Sequence, residues 1–211
     1  MFKADDPAQG RLHGQPGDEV LVLASKSAAR QALLNDAGVQ FSVHVADVDE
    51  DALKMPGVDA VHLAVDLARL KALAVSRHHD EAWVLGADQT LAFDGGLISK
   101  ARSLNEARER LQSMRNRTHQ LHSGAALAKG GQIVWSGVDT VTMRMRNFSD
   151  DFLDAYLASE GESLLTCVGS YRIEGMGSQL FEAVEGDHFT VLGLPLWQVL
   201  AELRRAGVLL T

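Results

Sequence analysis

The sequence predicts an α/β or α+β fold in which one β-sheet forms the spine. Segments with the apolar spacing of helices and segments with the alternation of strands follow each other along the chain after residue 20, and this mixture is typical of such folds. The chain has 211 residues, of which 46% are hydrophobic and 23% charged, as in most globular domains. We therefore predict a single domain over residues 20–211.

The first predicted elements are a tail, a strand, a helix and a second strand. Residues 1–19 hold several prolines and glycines and little that is apolar, which favours a flexible tail. Val20–Ala24 is an apolar run typical of a buried strand. Ser27 precedes apolar residues at helical spacing, and Gly38 ends that helix. The alternation over Val39–Val45 predicts another strand.

The middle of the chain alternates between helix and strand. Val61–Val75 repeats leucine and alanine every three or four residues and is the clearest helix. Trp83–Phe93 has the pattern of a strand, and it ends in a tight turn at Asp94–Gly96. A capping box at Ser103–Glu106 opens a further helix that reaches about Met114.

Paired strands, two helices and a glycine-rich stretch fill the rest of the chain. The glycine turn at Lys129–Gly131 joins the two strands, and a serine and a proline begin the helices. In order, these elements are strands over Thr118–Ala128 and Gln132–Arg146, a helix from Ser149 to about Ser159, the glycine-rich stretch Gly161–Gly177 and a helix from Pro195 to near Gly207.

Charge and composition exclude several classes of protein. The chain has 20 Lys+Arg against 28 Asp+Glu and a formal net charge of −8, so stable binding to nucleic acid through bulk charge is not expected. Its one cysteine, Cys167, can form neither an internal disulfide nor a set of zinc ligands. No apolar run reaches the roughly 18 residues of a membrane span, and residues 1–19 lack the apolar segment of a signal peptide. We expect a soluble, cytoplasmic protein that does not bind membranes.

A strand-to-helix junction is the first candidate site. Ser25 and Ser27 offer hydroxyl groups at the helix start, where free N–H groups and the positive end of the helix dipole attract anions. Lys26 and Arg30 add positive charge. This combination suits a phosphate group. An ordinary helix cap at Ser27 with solvated basic side chains fits the same residues.

Two groups of carboxylates are candidates for binding a cation. Acidic residues alternate over residues 47–51, which suits Mg²⁺ held through oxygen atoms but also a solvated acidic loop. Asp88 lies in an apolar strand between Leu85 and Leu91. A carboxylate there is costly unless it is paired, metal-bound or functional, and a structural aspartate bonded to nearby backbone is the alternative.

Basic and glycine-rich segments are the remaining candidates. Lys100 and Arg102 precede a predicted helix and are free to act on phosphate, whereas the arginines within the helix are expected to face water or to pair with neighbouring glutamates. The glycines of Gly169–Gly177 allow close approach of the backbone to a ligand. Glu174 in this segment can accept hydrogen bonds from a base edge, although a plain loop is an equal interpretation.

Taken in order, seven segments resemble the Maf family of nucleoside triphosphate pyrophosphatases. No single segment is decisive, but seven in the correct order are specific, and the resemblance covers about residues 20–207. The segments are LVLASKSAAR at 21–30, DVDE at 47–50, ARLKA at 68–72, GADQT at 86–90, SK at 99–100, GSYRIEG at 169–175 and VLGLPL at 191–196.

The resemblance implies an α/β fold with a long mixed sheet flanked by helices and two lobes around a central cleft. It implies hydrolysis of a nucleoside triphosphate to the monophosphate and pyrophosphate with Mg²⁺ or Mn²⁺, by a homodimer. The family's catalytic aspartate falls on Asp88 and its acidic partner on Glu50, and both would hold the cation. Its basic phosphate ligands fall on Arg30, Lys71 and Lys100.

Three positions bear on which base is preferred. The pyrimidine-preferring branch of the family has Arg, Thr and Gln where this chain has Ala29, Gln89 and Glu174. The branch that acts on 7-methyl-GTP lacks that arginine and carries Gln and Glu, so the chain resembles this branch more closely. Methylation at N7 places a positive charge on guanine, and a carboxylate at Glu174 would favour that cation.

Two other functions fit the sequence. A dTTP and UTP pyrophosphatase would use the same chemistry. A non-catalytic, nucleotide-binding regulator of cell division would explain why charged residues typical of the family are replaced by Ala29, Thr166 and Cys167. Intact Glu50 and Asp88 favour an enzyme, because a buried carboxylate without a role is costly.

Overall fold

Seven strands form one mixed β-sheet in the computed structural model, which describes residues 20–55 and 57–211. The tail predicted over residues 1–19 lies outside the described residues. The strands are β1 (Leu21–Leu23), β2 (Ser42–Val43), β3 (Trp83–Phe93), β4 (Gly96–Ile98), β5 (Thr118–Lys129), β6 (Gln132–Met145) and β7 (Phe181–Glu185).

The strands lie in the order β2-β1-β3-β5-β6-β7, and β4 pairs with β3. β1 runs parallel to β2 and β3, whereas the other pairs are antiparallel. Tight turns at Asp94–Gly95 and Gly130–Gly131 join β3 to β4 and β5 to β6. All four of these residues have positive φ, as two-residue hairpin turns require. The long mixed sheet expected from the resemblance is confirmed.

The sheet has a gap along one edge of β3. β1 pairs with this edge at Leu21–Leu23, opposite Trp83–Leu85, and β4 pairs with it from Leu91 onward. On its other edge β3 pairs with β5 along almost its whole length. Residues 86–90 therefore belong to a strand that is paired on one side and open on the other.

Helices flank this sheet, and three of them begin at serines that the sequence identifies as caps. Ser27, Ser103 and Ser149 each accept a hydrogen bond from the backbone N–H three residues later, which satisfies a free donor of the first turn. None of the helices in the described ranges is long and apolar enough to cross a membrane. The helices are α1 (Ala28–Asp36), α2 (Ala60–Ser76), α3 (Leu104–Met114), α4 (Asp150–Glu160), α5 (His188–Val191) and α6 (Leu196–Arg205).

The strand predicted over Val39–Val45 is much shorter in the structure. Only Ser42 and Val43 pair, because their partner β1 has just three residues. Val43 and Val45 are 44% and 50% exposed. Val39 and Phe41 of the same alternation pack into the core, so the pattern corresponds to burial only at the start of the segment.

Two hydrophobic cores define two lobes. The first core packs α1 and α6 against β1 and one end of β3 and β5. The second packs α3 and α4 against the other end of β3 and β5 and against β6. Along β3, Ala87 belongs to the first core and Leu91 to the second. The change from one lobe to the other thus falls in the gap of the sheet.

α2 packs very closely against β3 and β5 because two strand positions have no side chain. A Cβ on Gly86 would lie 2.1 Å from a backbone oxygen of α2, and one on Gly124 would lie 2.3 Å from another. Alanines on the helix and on β5 complete this small-residue contact. The close approach brings Lys71 of α2 next to Asp88 of β3.

Candidate active site

A cleft of about 1030 Å³ lies at the gap in the sheet, between the two lobes. The central cleft implied by the resemblance is therefore confirmed. All of the predicted site residues line it, namely Ser25, Ser27, Arg30, Glu50, Lys71, Asp88, Gln89, Lys100 and Glu174.

Lys71 joins the two candidate carboxylates. Its Nζ lies 2.6 Å from Asp88 Oδ1 and 2.8 Å from Glu50 Oε1. The side chains of Lys71 and Asp88 are only 12% and 15% exposed, so water screens this ion pair less than a surface pair. Asp88 is thus paired with a cation, which accounts for a carboxylate in an apolar strand.

Glu50, at the end of the acidic loop, is held by two lysines. Lys54 Nζ lies 3.5 Å from one carboxylate oxygen, and Lys71 contacts the other. Burial alone would raise the pKa of Glu50, but Lys71 and Lys54 outweigh it and the pKa lies below its ordinary value. Glu50 is therefore ionised at neutral pH. The sequence analysis missed Lys54, although an acid followed by lysine four residues later is a recognisable signal.

Arg30 ties three parts of the first lobe together. Its Nε donates to Gly193 O at 2.8 Å, and a terminal nitrogen donates to Ser25 Oγ at 3.0 Å and Ala87 O at 2.9 Å. Burial lowers the pKa of Arg30, while the nearby carboxylates oppose this shift. One of its bonds also satisfies a carbonyl group on the open edge of β3. Arg30 is a structural residue as well as a cation of the cleft.

The two serines of the junction both bond within the protein. Ser27 Oγ accepts from Arg30 N at 3.4 Å and caps α1. Ser25 is 7% exposed and accepts from Ser27 N at 3.3 Å as well as from the Arg30 side chain. The interpretation of Ser27 as a helix cap is confirmed, and phosphate binding at this junction stays a prediction.

Lys26 and Lys100 are further cations of the cleft. Within residues 20–55 and 57–211, neither has an acidic side chain at ion-pair distance. Partial enclosure by the cleft lowers the pKa of Lys100, and Asp88 opposes this shift. Arg102 also lines the cleft and pairs with Glu106 through a side chain that is 91% exposed, so its action on phosphate stays a prediction. Lys26 was left out of the predicted ligands, although its place between two serines at a helix start is a signal.

Gln89 directs its amide nitrogen at the chain segment around α5. It donates to Ser123 Oγ at 3.1 Å, Thr190 O at 3.0 Å and Val191 O at 3.1 Å. The segment that follows, up to Gly193, lines the cleft. Gln89 therefore fixes part of the cleft wall, and its direct contact with a substrate stays a prediction.

The second lobe supplies a wall of the cleft formed by Cys167–Glu174, which we call the recognition loop. It follows a 3₁₀ turn over Gly161–Thr166, and Glu174 is exposed at the cleft. Ser170 in the loop is fully buried with a φ of 57°, a conformation that non-glycine residues seldom adopt. Burial raises the pKa of Cys167, so its thiol is protonated at neutral pH.

As predicted, the arginines of α3 form ion pairs with carboxylates, but not all of the partners are glutamates of the same helix. Arg108 pairs with Asp154 of α4 at the protein surface. Arg110 pairs with Glu106 at 3.3 Å and also donates to Val168 O in the recognition loop. The sequence analysis missed this contact, for which the only local signal is that Arg110 borders the buried face of its helix.

The acidic loop before Glu50 offers few ligands for a metal ion. Asp47 and Asp49 are exposed, and Asp49 accepts a hydrogen bond from Ala52 N. In the described part of the chain, no group of three His, Cys, Asp or Glu side chains is arranged to hold a metal ion. Glu50 and Asp88 are the carboxylates of the cleft that converge, through their common contact with Lys71.

The fold and the cleft define a two-lobed α/β protein whose acidic and basic side chains meet in a gap of its sheet. The family described as Maf-like protein matches residues 20–206, and the chain belongs to this family. The 7-methyl-GTP pyrophosphatase of Rhizobium meliloti (strain 1021) is 43% identical, over 90% of this chain and 98% of that protein. The nucleoside triphosphate pyrophosphatase of Maricaulis maris (strain MCS10) is 47% identical, over 89% of this chain and 97% of that protein.

Among solved structures, a nucleoside-triphosphatase (dITP/XTP pyrophosphatase) of Mycobacterium abscessus has weak similarity. It is 14% identical with a TM-score of 0.41, over 90% of this chain and 97% of that chain. Similarity of this size carries no functional conclusion.

Proposed function

We propose that this chain hydrolyses a nucleoside triphosphate to the monophosphate and pyrophosphate. The observation that carries the proposal is the contact of Lys71 with both Glu50 and Asp88, in a cleft where Lys26 and Lys100 have no acidic partner within the described ranges. Such a cleft combines a base with positive charge for phosphates. The names of relatives that are 43% and 47% identical over most of the chain support this activity.

Asp88 takes the proton in this mechanism. Water attacks the α-phosphorus, and a carboxylate within reach accepts the proton that the water loses. The bond between the α-phosphorus and the bridging oxygen breaks, and pyrophosphate leaves with that electron pair. Lys71, 2.6 Å from Asp88, fixes the orientation of the carboxylate throughout.

The basic side chains stabilise the charge that moves onto the leaving pyrophosphate. Phosphoryl transfer is catalysed mainly by positioning and electrostatics, and groups that are already oriented are the most effective. Arg30 is oriented by three hydrogen bonds, whereas Lys26 and Lys100, which have no acidic partner in the part of the chain that the structure describes, can adapt to the phosphates. Lys26 supplies charge at the junction where Ala29 replaces an arginine of the family.

A divalent cation, Mg²⁺ or Mn²⁺, fits Glu50 and Asp88. Mg²⁺ commonly takes one or two carboxylates and completes its shell with phosphate oxygens and water, so two convergent carboxylates suffice. When bound, the ion neutralises phosphate charge and polarises the phosphoryl oxygen. The lowered pKa of Glu50 keeps this ligand ionised at neutral pH.

We further propose 7-methyl-GTP as the preferred substrate. Glu174 lies on the recognition loop at the cleft, where a carboxylate attracts the positive charge of N7-methylguanine and accepts hydrogen bonds from the N1 and N2 edge. Gln89 and the missing arginine at Ala29 agree with this branch of the family. The uncharged bases of dTTP and UTP gain no charge–charge attraction from a carboxylate at this place.

Pyrophosphate release over a nucleotide panel tests the proposal. The panel contains 7-methyl-GTP, GTP, dTTP, UTP and CTP, each with Mg²⁺ and with Mn²⁺. We expect turnover of 7-methyl-GTP, a loss of roughly 10²–10⁴-fold in Asp88→Asn, and no loss in Arg69→Met on the exposed face of α2. Preference for dTTP and UTP would contradict the assigned substrate, and nucleotide binding without turnover would favour a regulatory protein.

The Glu174→Gln variant separates base preference from catalysis. Removing the carboxylate charge should lower the activity ratio of 7-methyl-GTP to GTP, because the methylated base loses its counter-charge. Turnover of GTP should change little. An unchanged ratio would contradict the role of Glu174.

The homodimer and the cytoplasmic location implied earlier stay predictions. Light scattering coupled to size-exclusion chromatography measures the mass in solution directly. A mass near twice 22.8 kDa would support the dimer, and the monomer mass would contradict it.

A further inference from the structure

Arg110 is a partly buried cation that contacts the recognition loop without lining the cleft. Its side chain is 10% exposed. One terminal nitrogen donates to Val168 O at 3.1 Å and to Ser170 Oγ at 3.3 Å, and the other donates to Glu106 Oε1 at 3.3 Å. Burial lowers the pKa of Arg110, and Glu106 opposes this shift. An arginine so placed acts on the loop and not on a ligand.

The part of the loop that Arg110 holds is conformationally demanding. Ser170 is fully buried in the left-handed region with a φ of 57°, and such residues persist only where their surroundings fix them. The loop carbonyl of Val168 has its donor in Arg110. Without that side chain, a buried hydroxyl and this carbonyl would each lose a partner.

The residues that follow are anchored by two tyrosines. Tyr171 Oη lies 2.7 Å from His119 Nε2 of β5, and Arg172 N donates to Tyr156 Oη of α4 at 3.2 Å. These contacts place the backbone up to Arg172, two residues before Glu174. Arg172 also pairs with Glu160 of α4 at 3.5 Å, so Arg110 is the charged side chain that holds the start of the loop, at Val168 and Ser170, from α3.

We propose that Arg110 is a positioning residue for base recognition. It holds the loop at Val168 and Ser170, so that Glu174 is presented to the base in one orientation. The inference rests on the proposed function, in which Glu174 reads the base. Arg110 makes no contact with Glu50, Lys71 or Asp88, so it acts on substrate preference and not on the chemical step.

Kinetics of Arg110→Met test this role, with Arg108→Met as the matched control on the same helix. Methionine keeps the helix and the apolar stem but removes the donors. We expect KM for 7-methyl-GTP to rise about tenfold, since the lost hydrogen bonds are charge-assisted, with kcat within about twofold and a smaller ratio of 7-methyl-GTP to GTP activity. Arg110→Lys should recover part of the effect. A fall in kcat at constant KM, or equal effects in Arg108→Met, would overturn the proposal.

Hydrogen exchange gives a readout that does not depend on activity. In Arg110→Met, amides of residues 168–174 should exchange faster than in the unmodified chain, while Arg108→Met leaves them unchanged. If the unmodified chain releases no pyrophosphate, the proposed function fails, and the exchange still decides whether Arg110 orders the loop. Unchanged exchange in both Arg110→Met and Arg110→Lys would overturn the positioning role.

Discussion

The two walls of the cleft are built by different means. In the first wall, Asp88 and Lys71 project from a strand and a helix, and the absence of a side chain on Gly86 sets the separation of these two elements. In the second wall, Glu174 lies on the recognition loop, which hydrogen bonds from α3, α4 and β5 hold in place. Regular elements thus position the reacting groups, and side chains position the recognition loop. If the proposed roles hold, the wall that carries Glu174 can change without moving Lys71 and Asp88.

The largest effect should come from breaking the first wall at its closest contact. Gly86→Ala places a Cβ 2.1 Å from a backbone oxygen of α2, so the helix backbone itself has to shift. We expect the free energy of unfolding to fall by about 4 kcal/mol, measured by urea denaturation, together with a loss of turnover. Gly96→Ala, whose Cβ would meet only an ordinary contact at 3.6 Å, is the control. A stable Gly86→Ala protein would show that the small-residue contact does not set the position of α2.

Removing Lys71 separates the chemistry from the fold of the same wall. In Lys71→Met, Glu50 and Asp88 lose their common counter-charge and the phosphates lose a cation. We expect kcat to fall roughly 100-fold, or about 2.7 kcal/mol, with the exposed Arg69→Met on the same helix unaffected. Retention of kcat would mean that Lys71 only supports the fold.

A pH dependence probes the second wall. Burial lowers the pKa of His119 to about 4 from 6.5, so the unfolded chain binds this proton more strongly than the folded chain. The resulting stability is fully present above pH 6.5 and is lost as the pH falls towards 4. From this group, we expect the free energy of unfolding to drop by about 2 kcal/mol between pH 7.5 and pH 5.

Urea denaturation at the two pH values measures this drop. His119→Gln should remove that part of the pH dependence, whereas the exposed His62→Gln should keep it. If the free energy of unfolding changed with pH equally in the unmodified chain and in His119→Gln, the predicted effect of burial at His119 would be contradicted.

The smallest predicted effect concerns Lys26. Lys26→Ala removes a cleft cation that has no acidic partner in the described part of the chain, so only substrate binding should suffer. We expect KM to rise about tenfold at unchanged stability. Lys129→Ala, which removes an equal charge next to Trp83 and away from the cleft, is the control. Equal shifts in both variants would point to the overall charge of the protein instead of a phosphate contact.

The first wall was largely predictable because its signals are local. The bounds of β3 agree with the predicted strand over Trp83–Phe93, and Asp88 stands out as a carboxylate among apolar neighbours. The caps of α1 and α3 follow from Ser27 and Ser103. The residues alone did not predict the ion pair of Asp88 with Lys71, and the resemblance gave Lys71 only as a phosphate ligand.

The second wall and the cleft lining were not predictable in the same way. Arg110 bonds to residues 58 and 60 positions further along the chain, and Gln89 bonds to Thr190 across 101 positions. No spacing within a short segment records such contacts. The 3₁₀ turns around the recognition loop also lack the periodicity that identifies helices and strands.

The three longest strands constrain how the molecule can move. β3, β5 and β6, with 11, 12 and 14 residues, run from one core to the other. Domain closure needs a hinge of a few residues whose dihedral angles change. The ladder of β3, β5 and β6 has its register shift at Leu127/Ala128, within the first core, and is regular between the two cores, so a hinge there would have to break hydrogen bonds. The sheet therefore resists hinge motion between the two lobes. We therefore expect entry of substrate and release of product to depend on motions of side chains and of the recognition loop. Turnover should then be insensitive to agents that slow motion of one lobe relative to the other.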